Sequence, residues 1–399
     1  MKPTLRVLLV EFAPSGGLFQ YAYLLGAALA ASGQDVTLLT GRDPELTVGA
    51  SGFRIAATLP TWHPAGRAPR TALGRLSRRS LRGVRYVAAW LQVARVVSTL
   101  RPDVVQLADL RFGIDGVLVR LLVRRFRGVA FVDLAHTPKP LVEQRSTGSL
   151  YKESWGVMNL LGLAYRSLDG IVVLGESSRD ELLRTWPDVK SVYSMPHGNY
   201  GRFVDEVDTV APSGCPRRVV LFGTWTRYKG IDDLLRVWPE VVLEVPDAEL
   251  VIAGEASGDV DVGAIQLAAA SCRGVTLDQR YLPMDDALRI VSGARVVVAP
   301  YLAANQSGVV TLAQSLGRPV VATDVGDLGD LVRHDLTGLL IPPGDSEALA
   351  AALVRMLKEP ETADRLGAAG RALVEREGSW SSLAEQFVAV YQSVLQGVA

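Results

Sequence analysis

The sequence predicts an α/β protein of two doubly wound domains, each a parallel sheet covered by helices on both faces. Three observations support this. Short, unbroken apolar runs alternate with stretches of helical spacing along most of the 399 residues, as strands buried on both faces require. The alternation stops once, over residues 198–216, where glycine, proline and acids collect and periodicity fades. It then restarts. These breaks set an N-terminal domain over 1–200, a linker over 201–216, a second domain over 217–378 and a terminal helix over 379–399.

Each element has its own signal. Residues 6–12, RVLLVEF, form the first strand, ended by Ala13-Pro-Ser-Gly-Gly17. Helical spacing over 21–31 and a second strand over 34–40 complete a βαβ unit, whose crossover is right-handed. Further strands are expected at 103–107, 129–134 and 170–174, with helices at 80–100, 116–125 and 177–185. After the linker, strands are expected at 218–222, 249–253, 275–277, 296–299, 319–322 and 338–341. Helices follow at 231–245, 284–292, 308–316, 346–358 and 362–376. In the last segment Trp380, Leu383, Phe387, Val390, Tyr391 and Val394 recur on one helical face.

Composition narrows the function. With 48% hydrophobic and 21% charged residues, the chain is too apolar for disorder. Two cysteines, Cys215 and Cys272, make neither a disulfide framework nor a zinc site and favour a reducing compartment. No signal-peptide pattern opens the chain and no run of 18 apolar residues occurs, so the expected location is cytoplasmic. The net charge of zero conceals an asymmetry. Residues 1–200 carry 25 Lys/Arg against 15 Asp/Glu, net +10; residues 201–399 carry 17 against 27, net −10. No acid occurs between Thr47 and Pro102, where arginine recurs ten times. No nucleic-acid motif accompanies this charge, and no nucleic-acid partner is expected.

Three loops between a strand and a helix are candidates for chemistry. In Ser15-Gly16-Gly17, paired glycines let backbone amides approach an anion at a helix start. In Phe222-Gly-Thr-Trp-Thr-Arg-Tyr-Lys-Gly230, Arg227 and Lys229 place two cations at a strand's carboxyl end, which suits a diphosphate. In the third, a strand ends at Pro300 and the polar loop Asn305-Gln306-Ser307-Gly308 opens a helix. There the amides of Gly308 and Val309 face an anion, the polar side chains suit hydroxyls, and Ser307 is also an N-cap. His136 follows a strand end in Asp133-Leu-Ala-His-Thr-Pro. None of the four histidines is spaced with another as a metal pair.

In this order, these motifs resemble the retaining glycosyltransferases of family 4, which have the GT-B fold. The resemblance spans nearly the whole chain. It is most specific over 218–343, including Lys229-Gly230, Gly317-Arg-Pro-Val-Val-Ala-Thr-Asp324 and Gly338-Leu-Leu-Ile-Pro-Pro-Gly-Asp345. It implies a nucleotide-sugar donor, such as a UDP- or GDP-hexose, transfer with retention, no cofactor and no metal. It implies that Lys229 and Arg227 neutralise the leaving diphosphate with Gly16, Gly17, Gly308 and Val309, and that His136 contacts the sugar or acceptor. Arg280 and Tyr281 are implied at the nucleobase, and the terminal helix is implied to cross back to the N-terminal domain. Two departures stand out. Where relatives carry paired glutamates, this chain has Ala304 and Leu312, so Asn305, Gln306 and Ser307 are expected to bind the sugar. Where some relatives carry an arginine, Thr224 stands here.

The expected function is transfer of a hexose to an acceptor hydroxyl in polysaccharide or glycolipid assembly. The Arg-rich segment 67–85 suggests contact with an anionic membrane at its inner face and a lipid-linked acceptor sugar. Glycosylation of a soluble small molecule is the alternative. A non-catalytic sugar-nucleotide-binding scaffold is the alternative of another class.

Overall fold

The structure is a computed structural model, and it describes residues 4–47, 52–61, 72–110, 112–137, 155–205, 207 and 209–398. It divides into two compact units. The first holds β1 (Arg6–Val10), α1 (Gly17–Ala31), β2 (Asp35–Gly41), β3 (Arg54–Leu59), α2 (Ala72–Leu100) and β4 (Val104–Ala108). It continues with α3 (Gly113–Arg125), β5 (Ala130–Ala135), α4 (Trp155–Tyr165), β6 (Gly170–Val173), α5 (Glu176–Thr185) and β7 (Val192–Ser194). Its seven strands lie in the order β3-β2-β1-β4-β5-β6-β7, all neighbours parallel.

The second unit, Pro196–Ser379, opens with α6 (Gly201–Val204). Then come β8 (Arg218–Phe222), α7 (Ile231–Glu244), β9 (Glu249–Ala253), α8 (Val262–Ala270), β10 (Val275–Asp278), α9 (Met284–Ser292) and β11 (Val296–Ala299). It ends with α10 (Gly308–Ser315), β12 (Val320–Thr323), α11 (Leu328–Leu331), β13 (Gly338–Ile341), α12 (Ser346–Lys358) and α13 (Pro360–Glu377). Its parallel order, β10-β9-β8-β11-β12-β13, repeats that of the first unit. The last helix, α14 (Trp380–Val398), belongs to the first unit. It packs on α1 and β5, buries Leu383, Phe387 and Tyr391, and donates the Tyr391 hydroxyl to Gln106.

Local chemistry sets these elements. The central strands are continuous Val, Leu and Ile runs, buried on both faces. Asp261, Ser307 and Asp345 cap α8, α10 and α12 by accepting the amides of Ala264, Val310 and Ala348. Pro360 opens α13, where its missing N–H costs nothing.

Several expectations need correcting. Helix α1 starts at Gly17 and α2 at Ala72, ahead of the expected starts at 21 and 80. Strands β3 and β7 and helices α4 and α8 were not anticipated. Both strands sit at sheet edges and are only partly buried, so they lack a continuous apolar run. The unit boundary falls at Met195 and Pro196, so the stretch read as a linker begins inside the second unit and carries α6. Of the Arg-rich segment 67–85, residues 67–71 lie outside the described residues.

Candidate active site

Both sheets grow outward in opposite directions from one pair of strands, β1/β4 in the first unit and β8/β11 in the second. Loops leaving the carboxyl ends at such a switch point form a crevice. In the second unit those loops are 223–230 and 300–307. Gly223 has φ +110°, and a Cβ there would lie 3.2 Å from Lys229 Nζ and 3.3 Å from Val309 Cγ2. Residues Arg227–Lys229 make one 3₁₀ turn, ended by Gly230 at φ +67°, where a Cβ would lie 2.0 Å from the Pro300 carbonyl oxygen. Only glycine permits this approach. The Leu302 amide, donating to the Tyr228 carbonyl at 2.7 Å, ties the two loops together.

Lys229 is only 6% exposed. Its Nζ donates to Tyr301 Oη at 3.0 Å and lies 4.5 Å from the Tyr301 ring centre and 5.8 Å from that of Tyr228. Burial works against its charge, but the Tyr301 and Tyr228 phenols more than offset it, and its pKa lies above the ordinary lysine value. Among the described residues it has no carboxylate partner. An ammonium has three donors, and one is used here. Ser307 lies 3.5 Å from Tyr301 Oη and spends its hydroxyl oxygen on the Val310 amide. The amides of Gly308 and Val309 have no acceptor within α10 and sit at the positive end of its dipole. A buried ammonium and a helix N-terminus thus meet beside Val309.

The other expected residues of this unit are placed as follows. Arg227 is exposed, and its backbone amide donates to Asp259 Oδ2 at 3.2 Å. Thr224 is exposed on the same loop. The Asn305 carbonyl accepts the Asp327 amide at 2.7 Å, which fixes the polar loop. Gln306 Oε1 is buried without a hydrogen bond among the described residues. Leu312 is 3% exposed and Ala304 half-buried, so no carboxylate stands at either position. Arg280 is engaged by Asp278 at 2.9 Å and Asp286 at 2.5 Å, with half-buried Tyr281 beside it.

In the first unit, His136 follows β5 and is 6% exposed. Its ring stands edge-on to Tyr21 at 4.9 Å, and Tyr21 meets Trp380 at 5.1 Å. Asp109, after β4 with φ +61°, accepts the Thr137 amide at 3.0 Å and so holds the His136 loop. At α1, the Gly16 amide donates to Glu45 Oε2 at 3.0 Å, so a carboxylate already occupies that glycine; Gly17 is the first helical residue. His197 in the second unit is neutral: burial pushes its pKa down to about 4, and Nδ1 donates to the Gly198 carbonyl at 2.7 Å. No group of three or more His, Cys, Asp or Glu among the described residues could hold a metal. The sequence reading missed Tyr301, Tyr21 and Asp109. A tyrosine directly after a strand-ending proline was the available signal for Tyr301.

Two family models match the chain: "Glycosyltransferase Family 4" over residues 15–198 and "Glycosyl transferases group 1" over 216–359. The chain is 29% identical over 313 residues to an alpha-maltose-1-phosphate synthase of Mycolicibacterium smegmatis, spanning 71% of this chain and 76% of that protein. It is 34% identical over 236 residues to a phosphatidyl-myo-inositol mannosyltransferase of Mycobacterium leprae, spanning 56% and 60%. The fold is similar to sucrose-phosphate synthase from Thermosynechococcus elongatus, with TM-score 0.75 and 22% identity over 98% of this chain and 99% of that one. It is also similar to Anabaena HepE, solved with UDP and glucose, with TM-score 0.68 and 15% identity over 98% and 100%.

Proposed function

Because the chain belongs to glycosyltransferase family 4, we propose that it transfers a hexose from a nucleoside-diphosphate sugar to an acceptor hydroxyl with retention at the anomeric carbon. The bond from the anomeric carbon to the diphosphate oxygen breaks. The acceptor oxygen bonds to the same face, and its proton passes to a departing phosphate oxygen. Negative charge builds on the leaving diphosphate, so fixed positive charge there lowers the barrier most. Lys229 supplies it, joined by the amides of Gly308 and Val309 and by Arg227, with neither metal nor cofactor needed. Asn305, Gln306 and Ser307 take the sugar hydroxyls in place of the family's paired acids. Arg280 and Tyr281 stand at the base, Gly17 adds its backbone amide to the diphosphate cradle, and His136 faces the sugar or the acceptor.

One observation carries this reading: a buried ammonium without a carboxylate, facing the start of α10. The phenols keep this ammonium charged, and two of its three donors are left for an anionic ligand. The acceptor side rests on the first unit. The outward faces of α2 and α3 expose Leu81, Val84, Leu91, Ile114, Val117 and Leu121 among arginines. That favours a lipid-linked acceptor at an anionic membrane surface. The likeness to a phosphatidyl-myo-inositol mannosyltransferase agrees with a lipid-linked acceptor.

The test is a thermal-shift screen of the whole protein with UDP-, GDP-, ADP- and dTDP-hexoses. One nucleotide class is expected to raise the melting temperature of the wild type but not of Lys229→Ala. Loss of a hydrogen bond to a charged group predicts at least tenfold weaker binding. Equal shifts in both proteins would remove the diphosphate from this loop.

A further inference from the structure

Tyr200 ends the segment 196–200 and precedes α6. The residue is 4% exposed, and its hydrogen bond within the described residues is made by the backbone amide, which leaves the hydroxyl for a ligand. The hydroxyl has a definite aim: a Cβ on Gly308 would lie 2.9 Å from Tyr200 Oη. It therefore stands against the first residue of α10. Several contacts hold it there. The Tyr200 amide donates to Ser315 Oγ on the same helix at 3.0 Å. The ring stacks on His197, with centres 5.9 Å apart and planes 27° apart. The Phe203 ring lies 6.3 Å away, tilted by 34°.

Resting on the reading of the Lys229 site above, we propose that Tyr200 is a further donor-binding residue, whose hydroxyl donates to a phosphate oxygen of the nucleoside diphosphate at the start of α10. Lys229 Nζ and the Val309 side chain both border Gly223, and Tyr200 Oη borders the neighbouring Gly308. A phosphate seated between them receives the ammonium, the helix amides and the phenol together. Gly308 suits this position because a Cβ there would crowd the hydroxyl, at 2.9 Å, with His197 Nε2 at 3.6 Å beside it. Burial pushes the phenol's pKa upward, so the group remains a neutral donor throughout the working pH range.

The experiment titrates the wild type, Tyr200→Phe and Lys229→Ala with UDP, GDP, ADP and dTDP, each alone and as its glucose or mannose conjugate, by calorimetry. The unliganded melting temperature of each protein is the control for folding. Phenylalanine keeps the ring stacking and the Ser315 bond. The expected result is an unchanged melting temperature and a rise of about tenfold or more in Kd for the bare diphosphate. If Tyr200→Phe melts early, 4-aminophenylalanine at position 200 restores a donor and is expected to recover the affinity. Wild-type affinity in Tyr200→Phe, with loss in Lys229→Ala, overturns the Tyr200 assignment and leaves the Lys229 reading standing. A loss seen only with the sugar conjugate overturns the phosphate contact in favour of a sugar hydroxyl. Wild-type affinity in Lys229→Ala, or no binding by the wild type, brings down the Lys229 reading and this one with it.

Discussion

Lys229 and Asp133 are both buried ionisable residues, and the structure treats them in opposite ways. Lys229 keeps its proton because two phenols sit against it, and both its ammonium and the Val309 side chain of α10 border Gly223. Asp133, in the middle of β5, is 0% exposed, and neither carboxylate oxygen has a hydrogen bond among the described residues. Burial first, then the nearby Asp109 and Asp115 carboxylates, push its pKa well up. It is therefore held as a neutral acid when the unfolded chain would ionise it. The sign follows from linkage. Above an unfolded pKa of about 3.9, the unfolded state has lost a proton that the folded state keeps, so stability falls as pH rises toward the folded pKa. Asparagine at 133 carries no such penalty. Asp133→Asn is expected to equal the wild type near pH 4 and to become progressively more stable above it. The gain is at most about 1.4 kcal/mol per pH unit. Denaturant melts of both proteins from pH 4 to 8 measure it, and parallel curves would refute it.

At the scale of elements, α3 and α4 show how closely this fold packs. A Cβ on Gly116 would lie 1.6 Å from the Leu160 carbonyl oxygen, so the two helices touch backbone to backbone. Gly116→Ala forces them apart. Despite alanine's better helix propensity it is expected to destabilise by roughly 1–3 kcal/mol, read as a lower denaturant midpoint at unchanged m-value. The same contact shows what the sequence could and could not reveal. The strands of the second unit were legible because each is a continuous apolar run, and the loops carrying Lys229 and Ser307 were legible as linear motifs. Strand β3 was not, because an edge strand with one buried residue leaves almost no alternation to read. Helix α8 was not, because its alanine-rich sequence has no distinct apolar stripe. Tyr200 against Gly308, and Asp109 beneath the His136 loop, join residues distant in sequence, and no local pattern encodes such a meeting. Propensity located the helices; tertiary packing decided which residues face one another.

For the whole molecule, the informative quantity is the uneven charge, +10 before residue 200 and −10 after it. In the first unit this charge has a structural setting. Helix α2 carries no acid, and the one acid of α3, Asp115, is buried, accepting the Tyr86 hydroxyl at 2.8 Å and the Trp90 indole at 3.2 Å. That acid locks the inner faces of the two helices together. Their outer faces keep arginines, Arg85, Arg124 and Arg125 among them, interleaved with exposed Leu91, Val117 and Leu121. No helix among the described residues is long and apolar enough to cross a membrane; the membrane contact proposed for this face is of the interfacial kind. The whole protein is therefore expected to sediment with phosphatidylglycerol vesicles at low salt, poorly with pure phosphatidylcholine, and less as salt screens the charge. At about 1 kcal/mol per arginine, replacing Arg124 and Arg125 together by glutamine is expected to weaken partitioning about thirtyfold. Equal binding to neutral vesicles, or a double variant that partitions as the wild type does, would detach the acceptor from the membrane. A soluble acceptor would then be the better reading, with the proposed donor site unchanged, because Lys229, Arg227 and the α10 amides proposed to hold the diphosphate lie on the second unit and owe nothing to this face.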